Sequence, residues 1–301
     1  MWFRNLQIYR LLVPIDLSPE ELHDKLSEKA FRPCGTLEPE TMGWDQPLGR
    51  DGSSLTHAAN GFVMVCARRE ERLLPSSVVK ETLDDRVAAI EDKEGRVVRR
   101  KEKLQLKDEV VLDLMPKAFT RSSRTFAYID TNNGYIVVDN AAAKRAEMLL
   151  TLLRDSLGTL KVVPLAMNDD PSAVMTGWIS NTAPADFNLL DECELREPSE
   201  EGGIIRCKRQ DLHGSEVSVH LEAGKRVVRL AVEWNERIGC ILGNDLAVRR
   251  LRLLDIVQEE AADAFADDAA ARFDVDFSLM TLELSRFIPR MVEVFGGLAE
   301  D

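Results

Sequence analysis

Apolar positions along the chain recur with two spacings, alternation for strands and steps of three and four for helices, and turn residues punctuate the changes between them. Residues 2–13 predict a strand that Pro14 ends. In Ser18-Pro19-Glu20-Glu21 the serine can cap, the proline suits the first helical position and Glu21 closes a capping box, so a helix is expected over 19–30. Residues 33–52 hold four glycines and three prolines and predict a long loop anchored by Trp44. Strands at 55–59 and 62–68 flank Asn60-Gly61, a strong hairpin signal. Val79, Leu83, Val87, Ile90 and Val97 then mark one long helix, kinked at Gly95, and a second run over 107–115 buries Val110, Val111 and Leu114 and stops at Pro116. Two such helices make an antiparallel hairpin projecting from a sheet.

A second hairpin, 125–131 with 135–139, turns at Asn132-Asn133-Gly134, and a helix over 141–157 stops at Gly158. A strand near 160–165, a linker at Asn168-Asp169-Asp170-Pro171 and a short helix through Trp178 follow. Strands are expected at 187–195, 203–208, 216–221, 225–234, 237–242 and 246–254, with a turn at Gly243-Asn244-Asp245. Helices over 256–273 and 277–295 end the chain, the last with a stripe of Met280, Leu284, Phe287, Met291 and Val294 and a kink at Pro289. The class is α+β with mainly antiparallel sheets and a helical hairpin extension. The expected organisation is a central domain of 1–74 and 120–166, a helical finger of 75–119, and a second α+β domain of 167–301.

Charge changes this picture most. The chain carries a net −13, yet residues 95–124 hold nine cations against four acids, a local +5. If 96–107 is helical, Arg96, Arg100, Lys103 and Lys107 fall in one row, with Arg99 and Lys101 beside it. Such a row is either a solvated face or a polyanion site. Three smaller groups share that ambiguity: Arg206, Lys208 and Arg209 with Gln210, then Lys225, Arg226 and Arg229; Arg68, Arg69 and Arg72; and Arg249, Arg250 and Arg252. Overall acidity argues against a general nucleic-acid coat, so any polyanion site is a local patch. Residues 255–301 carry a net −9 and suit packing or oligomerisation. No run of ~18 apolar residues exists to span a membrane, and Arg4 and Arg10 interrupt the apolar start, so a cytoplasmic protein is expected. Five widely spaced cysteines without a C-x-x-C pair read as reduced thiols.

Candidate chemistry is sparse. A phosphate-binding G-x-x-x-x-G-K-[ST] loop is missing, and His23, His57, His213 and His220 show no zinc-helix spacing. Asp130 and Asp139 bracket the second hairpin and could hold Mg²⁺ for phosphodiester cleavage, though no third carboxylate is placed with them. Ser122-Ser123 has no identifiable base. The reading is a protein that is not an enzyme and needs no cofactor or metal.

Seven ordered blocks carry a resemblance: MWFRNLQIYRL, LTHAANGFVMVCARREERLLPSSVVKE, LKDEVVLDLMPKAFTRSS, YIDTNNGYIVVDNAAAKRAEMLLTLLRDSLG, GGIIRCKRQDL, EAGKRVVRLAVEW and RFDVDFSLMTLEL. Together they resemble the bacterial recombination-associated protein RdgC family along essentially the whole chain. The resemblance implies a nucleoid-associated, non-sequence-specific DNA-binding protein: a homodimer closed into a ring that admits duplex DNA, binds single strands too, and restrains the RecA recombinase by occupying its DNA. A ring can hide a basic lining inside an acidic exterior, which reconciles −13 overall with +5 locally. Carried over block by block, Arg99, Arg100, Lys101, Lys103 and Lys107, with Arg96, would meet phosphates, as would Lys208, Arg209 and Gln210, with Lys225 and Arg226 counted alongside. Phe119, with Pro116, is expected at a subunit contact; the alternative is that Phe119 folds back beneath the helical hairpin. A regulator binding acidic protein surfaces and a metal-dependent nuclease are the competing readings.

Overall fold

The structure is a computed structural model that describes residues 2–199, 202–264 and 268–299. The chain folds into two compact units, one formed by Met1–Leu26, Gln46–Cys66 and Thr125–Asp301, the other by Ser27–Asp45 and Ala67–Arg124.

In the first unit, β1 (Leu6–Leu11) lies antiparallel between β6 (Tyr135–Asp139) and β12 (Val248–Leu253), with Leu6 opposite both Asp139 and Val248. The sheet continues β12, β11 (Ile238–Gly243), β10 (Arg226–Trp234), β8 (Phe187–Arg196) and β9 (Ile204–Lys208). β7 (Val162–Pro164) pairs with β1. β3 (Thr56–Ala59) pairs with β4 (Phe62–Leu73) through Asn60 and Gly61, whose φ values of 53° and 82° make the left-handed turn that the Asn-Gly pair favours. β5 (Phe119–Asp130) pairs with β6 in register from Ala127↔Val138 to Asp130↔Tyr135. β4 and β5 contribute residues to both units.

Helices α1 (Pro19–Ser27), α4 (Ala143–Leu157), α5 (Pro171–Ser180), α6 (Ser215–Glu222), α7 (Asp255–Asp263) and α8 (Ala269–Val294) complete the elements around this sheet. The capping box forms as expected: Ser18 Oγ accepts from Glu21 N–H, and Glu21 accepts from Ser18 N–H. Met280, Leu284, Phe287 and Met291 are buried on α8, which contains Pro289, and Trp234 packs on Phe287 at 5.5 Å between ring centroids. Asp186 joins loop, strand and helix, accepting from Trp234 Nε1 at 3.0 Å and from Arg290 Nε and Nη2 at 2.8 and 2.9 Å. The Arg290 hydrogen bonds lead in holding the Asp186 carboxyl down at about 2, from a usual 3.8. A depressed carboxylate contributes stability above its unfolded pKa and loses it as pH falls through the folded one. Asp186→Asn should therefore lower stability by about 1–2 kcal/mol at pH 7, the deficit shrinking below about pH 4 and vanishing near pH 2 in urea titrations.

The second unit builds on Trp44, 1% exposed, in β2 (Glu40–Asp45). Backbone hydrogen bonds Phe31 N–H to Trp44 O and Trp44 N–H to Lys29 O lock that anchor. Helices α2 (Ser76–Glu94) and α3 (Arg100–Leu114) pack on one another, burying Val79, Leu83 and Val110. Arg72 donates to the carbonyls of Gly35, Met115 and Ala118, and the Arg68 guanidinium lies 4.2 Å from the Phe31 ring centroid, so this cationic group holds the unit together.

Five expectations are corrected. The 33–52 loop contains β2, hidden because Gly43 and the flanking prolines break the alternating pattern. Gly95 does not kink a continuous helix; at φ 66° it ends α2, and its N–H caps Glu91 O. α3 then runs unbroken through the segment expected as two pieces, and Val111 and Leu114 are only partly buried. Residues 216–221 form helix α6, since only Val217 of the alternating Val217, Val219 and Leu221 is buried and Val219 is 60% exposed. The terminal helices break at Asp268, whose carboxylate caps Ala271 N–H at 2.8 Å, so Phe273 and Phe277 share α8.

Candidate nucleic-acid interface

On β8 and β9 side chains alternate between the two faces, and cross-strand partners share a face. Glu192 stands opposite Lys208 and Glu194 opposite Arg206, while Cys193/Cys207 and Leu195/Ile205 point the other way. β10 brings Arg229 opposite Glu194, and Arg226 opposite Arg196. β12 adds Arg249, opposite Ile241, and Arg250, whose φ of 49° at an irregular stretch of the ladder departs from extended geometry.

Two carboxylates organise these cations. Glu194, 4% exposed, accepts from Arg206 Nε at 2.9 Å and Arg196 Nε at 3.2 Å, with Arg229 Nη1 at 3.6 Å. Burial pushes its carboxyl up, but the Arg206 hydrogen bond and the charges of Arg229, Arg206 and Arg196 outweigh burial and leave it below the usual carboxylate range. Glu192 pairs with Arg250, and Lys208 Nζ lies 3.9 Å away. Five cations thus meet two acids, and their side chains stay 46–67% exposed. A sixth cation, Arg249, is paired with Asp245. Arg206, Lys208, Arg229, Arg249 and Arg250 border a cavity of about 370 Å³ that Asn5 and Ile241 also line. Arg226 is the register partner of Arg196, whose guanidinium is held by Glu194. Arg226 is also paired with Asp170 at 3.1 Å.

The other expected residues of this group sit nearby on the chain. Arg209, at φ 53°, leaves the strand, and with Gln210 it borders a second cavity of about 440 Å³ beside His213. Lys225 lies at the turn before β10, partly buried.

In the second unit the helical pair carries the remaining expected cations. Arg100, Lys103 and Lys107 share a face of α3, and Arg99 occupies the position before its first residue without a side-chain cap. Arg96 does not continue that row: it lies between the helices, where its guanidinium binds Glu102 through both Nη atoms at 2.7 Å and Glu94 through Nε at 2.6 Å. These hydrogen bonds, from Glu102 first, raise the Arg96 pKa further, so its role is to close the turn. Lys103 pairs with Asp84 at 3.1 Å. Arg100, Lys101 and Lys107 have no ion pair among the described residues. Phe119 opens β5 with 84% of its surface exposed, and Pro116 is exposed in the preceding 3-10 turn (Met115–Lys117). Met115 in that turn is buried, whereas Phe119 does not fold back.

The residues weighed for catalysis have structural partners. Asp130 accepts from Asn132 N–H and from Asn133 N–H and Nδ2, closing the hairpin turn, and Asp139 accepts from Arg4 and Asn5 N–H at 2.9 Å. Asp130 pairs with Tyr135 and Asp139 lies four residues further along β6, so the two are separated by roughly 14 Å of strand, well beyond a shared metal. Ser122 Oγ donates to Glu70. His23 Nδ1 accepts from Leu55 N–H, and His57 Nε2 lies 3.1 Å from Asp274. Among the described residues no group of three or more His, Cys, Asp or Glu could hold a metal ion, and no helix is long and apolar enough to cross a membrane.

Along the chain, the group from Arg206 to Arg229 and the group Arg249, Arg250 and Arg252 are each ambiguous between a solvated face and a polyanion site, and Arg196 belongs to neither. Antiparallel pairing places them on one surface; the alternation in ELREP and IIRCK is the signal that could have joined the first two strands.

A sequence profile of the family described as "Putative exonuclease, RdgC" matches residues 1–298. A protein named recombination-associated protein RdgC from Aeromonas hydrophila is 47% identical over 298 residues, covering 99% of this chain and 98% of that protein. Proteins of the same name from Yersinia pestis and Yersinia pseudotuberculosis are 46% identical over 301 residues, covering 100% of this chain and 99% of theirs.

Proposed function

From the premise that the chain belongs to the RdgC family, we propose that it is a non-sequence-specific DNA-binding protein that acts in recombination by occupying duplex DNA. The observation that carries this reading is the face on which Arg196, Arg206, Lys208, Arg229 and Arg250 surround Glu192 and Glu194, a surplus of positive charge in an acidic chain. The carboxylates hold the guanidiniums in place before any ligand arrives, so the ordering entropy is spent in folding rather than in binding. β-strands present these cations as a shallow sheet surface without a helix to enter the major groove, which suits phosphate contact over base reading. Three neighbouring strands span about 10 Å, room for more than one backbone phosphate.

In the full proposal, two copies close around the duplex through contacts that include Phe119, and the cations of α3 add phosphate contacts. Occupied DNA is withheld from RecA, which needs no ATPase. The protein would then work where the nucleoid is.

Binding to several unrelated duplexes across a salt series tests this: affinity should fall with a slope of about −0.9 for each phosphate neutralised, similarly for every sequence. Strong sequence selection or insensitivity to salt would overturn it, and no gel shift on plain duplex would favour a regulator of acidic protein surfaces. The family's exonuclease description gives a second reading; the same duplexes incubated with Mg²⁺ should stay intact, and shortening that chelation of the Mg²⁺ abolishes would establish cleavage instead.

A further inference from the structure

Behind the cationic face, the same two strands oppose two cysteines. Cys193 and Cys207 are register partners on β8 and β9, and both are free thiols. Directly opposed antiparallel residues have Cα atoms about 4.5–5.5 Å apart, inside the roughly 4.4–6.8 Å range that a disulfide spans. Cys193 lies in the apolar core on that face, and the partly buried Cys207 packs against it. Among the described residues β9 ends the strand order and pairs with β8, so it can shift by the fraction of an ångström that bond formation requires. The remaining cysteines have other surroundings: Cys34 donates to Glu70 O, Cys240 is opposite Val232, and Cys66 is buried.

We propose that Cys193 and Cys207 form a redox site, closing a reversible cross-strand disulfide under peroxide that tethers edge strand β9 to β8. Cys207 is the half-buried member and reacts first, whereas Cys193 is 2% exposed and resolves. The Cys207 thiolate attacks one peroxide oxygen, giving a sulfenic acid and hydroxide. The Cys193 sulfur then attacks the sulfenic sulfur, and the hydroxyl leaves as water with the Cys193 proton. In total, two thiols and one hydrogen peroxide give one disulfide and two waters. Burial, aided by Cys207, pushes the Cys193 thiol up to about 12, so it stays protonated at neutral pH and the second step is the slow one. The tethered strand carries Arg206 and Lys208 on its opposite face, but the bond itself forms whether or not DNA is the ligand.

Wild-type protein treated with hydrogen peroxide, alkylated and digested should yield one linked peptide pair joining Cys193 to Cys207, and its free thiols should fall from five to three. Dithiothreitol should restore them, and amide exchange over 204–208 should slow in the oxidised form. Cys193→Ser should send Cys207 to sulfinic acid without a link. A peroxide-treated wild type that still titrates five thiols, or whose linked peptides join other cysteines or Cys207 of two copies, would overturn the inference.

Discussion

Replacing Arg206, Lys208 and Arg229 together by alanine should weaken duplex binding by about two to three orders of magnitude at low salt and reduce the salt slope by about 3. Charge-assisted contacts to phosphate contribute roughly 1.5 kcal/mol each, so three of them lie near the top of that range. Two of these arginines also neutralise Glu194, which is 4% exposed and would keep Arg196 as its nearest partner. An uncompensated buried carboxylate destabilises the fold on its own account. The triple variant should therefore be paired with one that also carries Glu194→Gln. The added substitution should recover the melting temperature without recovering DNA affinity. If affinity returns with the melting temperature, the cations serve the fold and the nucleic-acid reading of this face fails. The salt slope separates the cases further, because an unfolding effect changes the bound fraction without changing the number of counterions released per complex.

Phe119→Asp should weaken self-association by about 30- to 1,000-fold, the range for removing an aromatic anchor from an interface centre, with little change in melting temperature. The two halves of that expectation come from one observation: a phenylalanine 84% exposed contributes almost nothing to the isolated chain, so its loss is felt only where a second surface covers it. Sedimentation velocity across a concentration series reads the first half and thermal melting the second. An unchanged self-association would remove Phe119 from the subunit contact. If the contact is the gate of a closed ring, the variant should also release circular DNA faster than wild type while retaining its salt slope on short linear duplexes.

The local signals that held share a property: each depends on a few adjacent residues. Asn60-Gly61 makes its turn because only those residue types tolerate two successive left-handed positions, and Ser18 with Glu21 closes its cap within one helical turn. The stripe on α8 is buried because its spacing matches the helix. Failures arose where the pattern had two meanings. Val217, Val219 and Leu221 alternate like a strand, but a strand needs a partner edge, and the neighbourhood supplies a helix position that buries Val217 alone. Gly95 could kink or stop, and the Val98 N–H hydrogen bond to Glu91 shows the chain turning back there. Arg96 left its expected row for that reason, drawn into the turn by Glu94 and Glu102.

From the sequence alone came the α+β class, the hairpins, the reduced cysteines, the segregation of charge and, through seven blocks of likeness, the family. These are properties of composition and of short-range spacing, which backbone geometry translates directly. Which cations stand together was decided by the tertiary structure, because register across β8, β9 and β10 joins charged residues 12 to 35 positions apart, and Arg250 reaches Glu192, 58 positions away, which no local spacing relates. Tertiary structure also divided the arginines by role, placing Arg72 on backbone carbonyls and Arg206 beside a buried carboxylate, although both are cations in similar company along the chain.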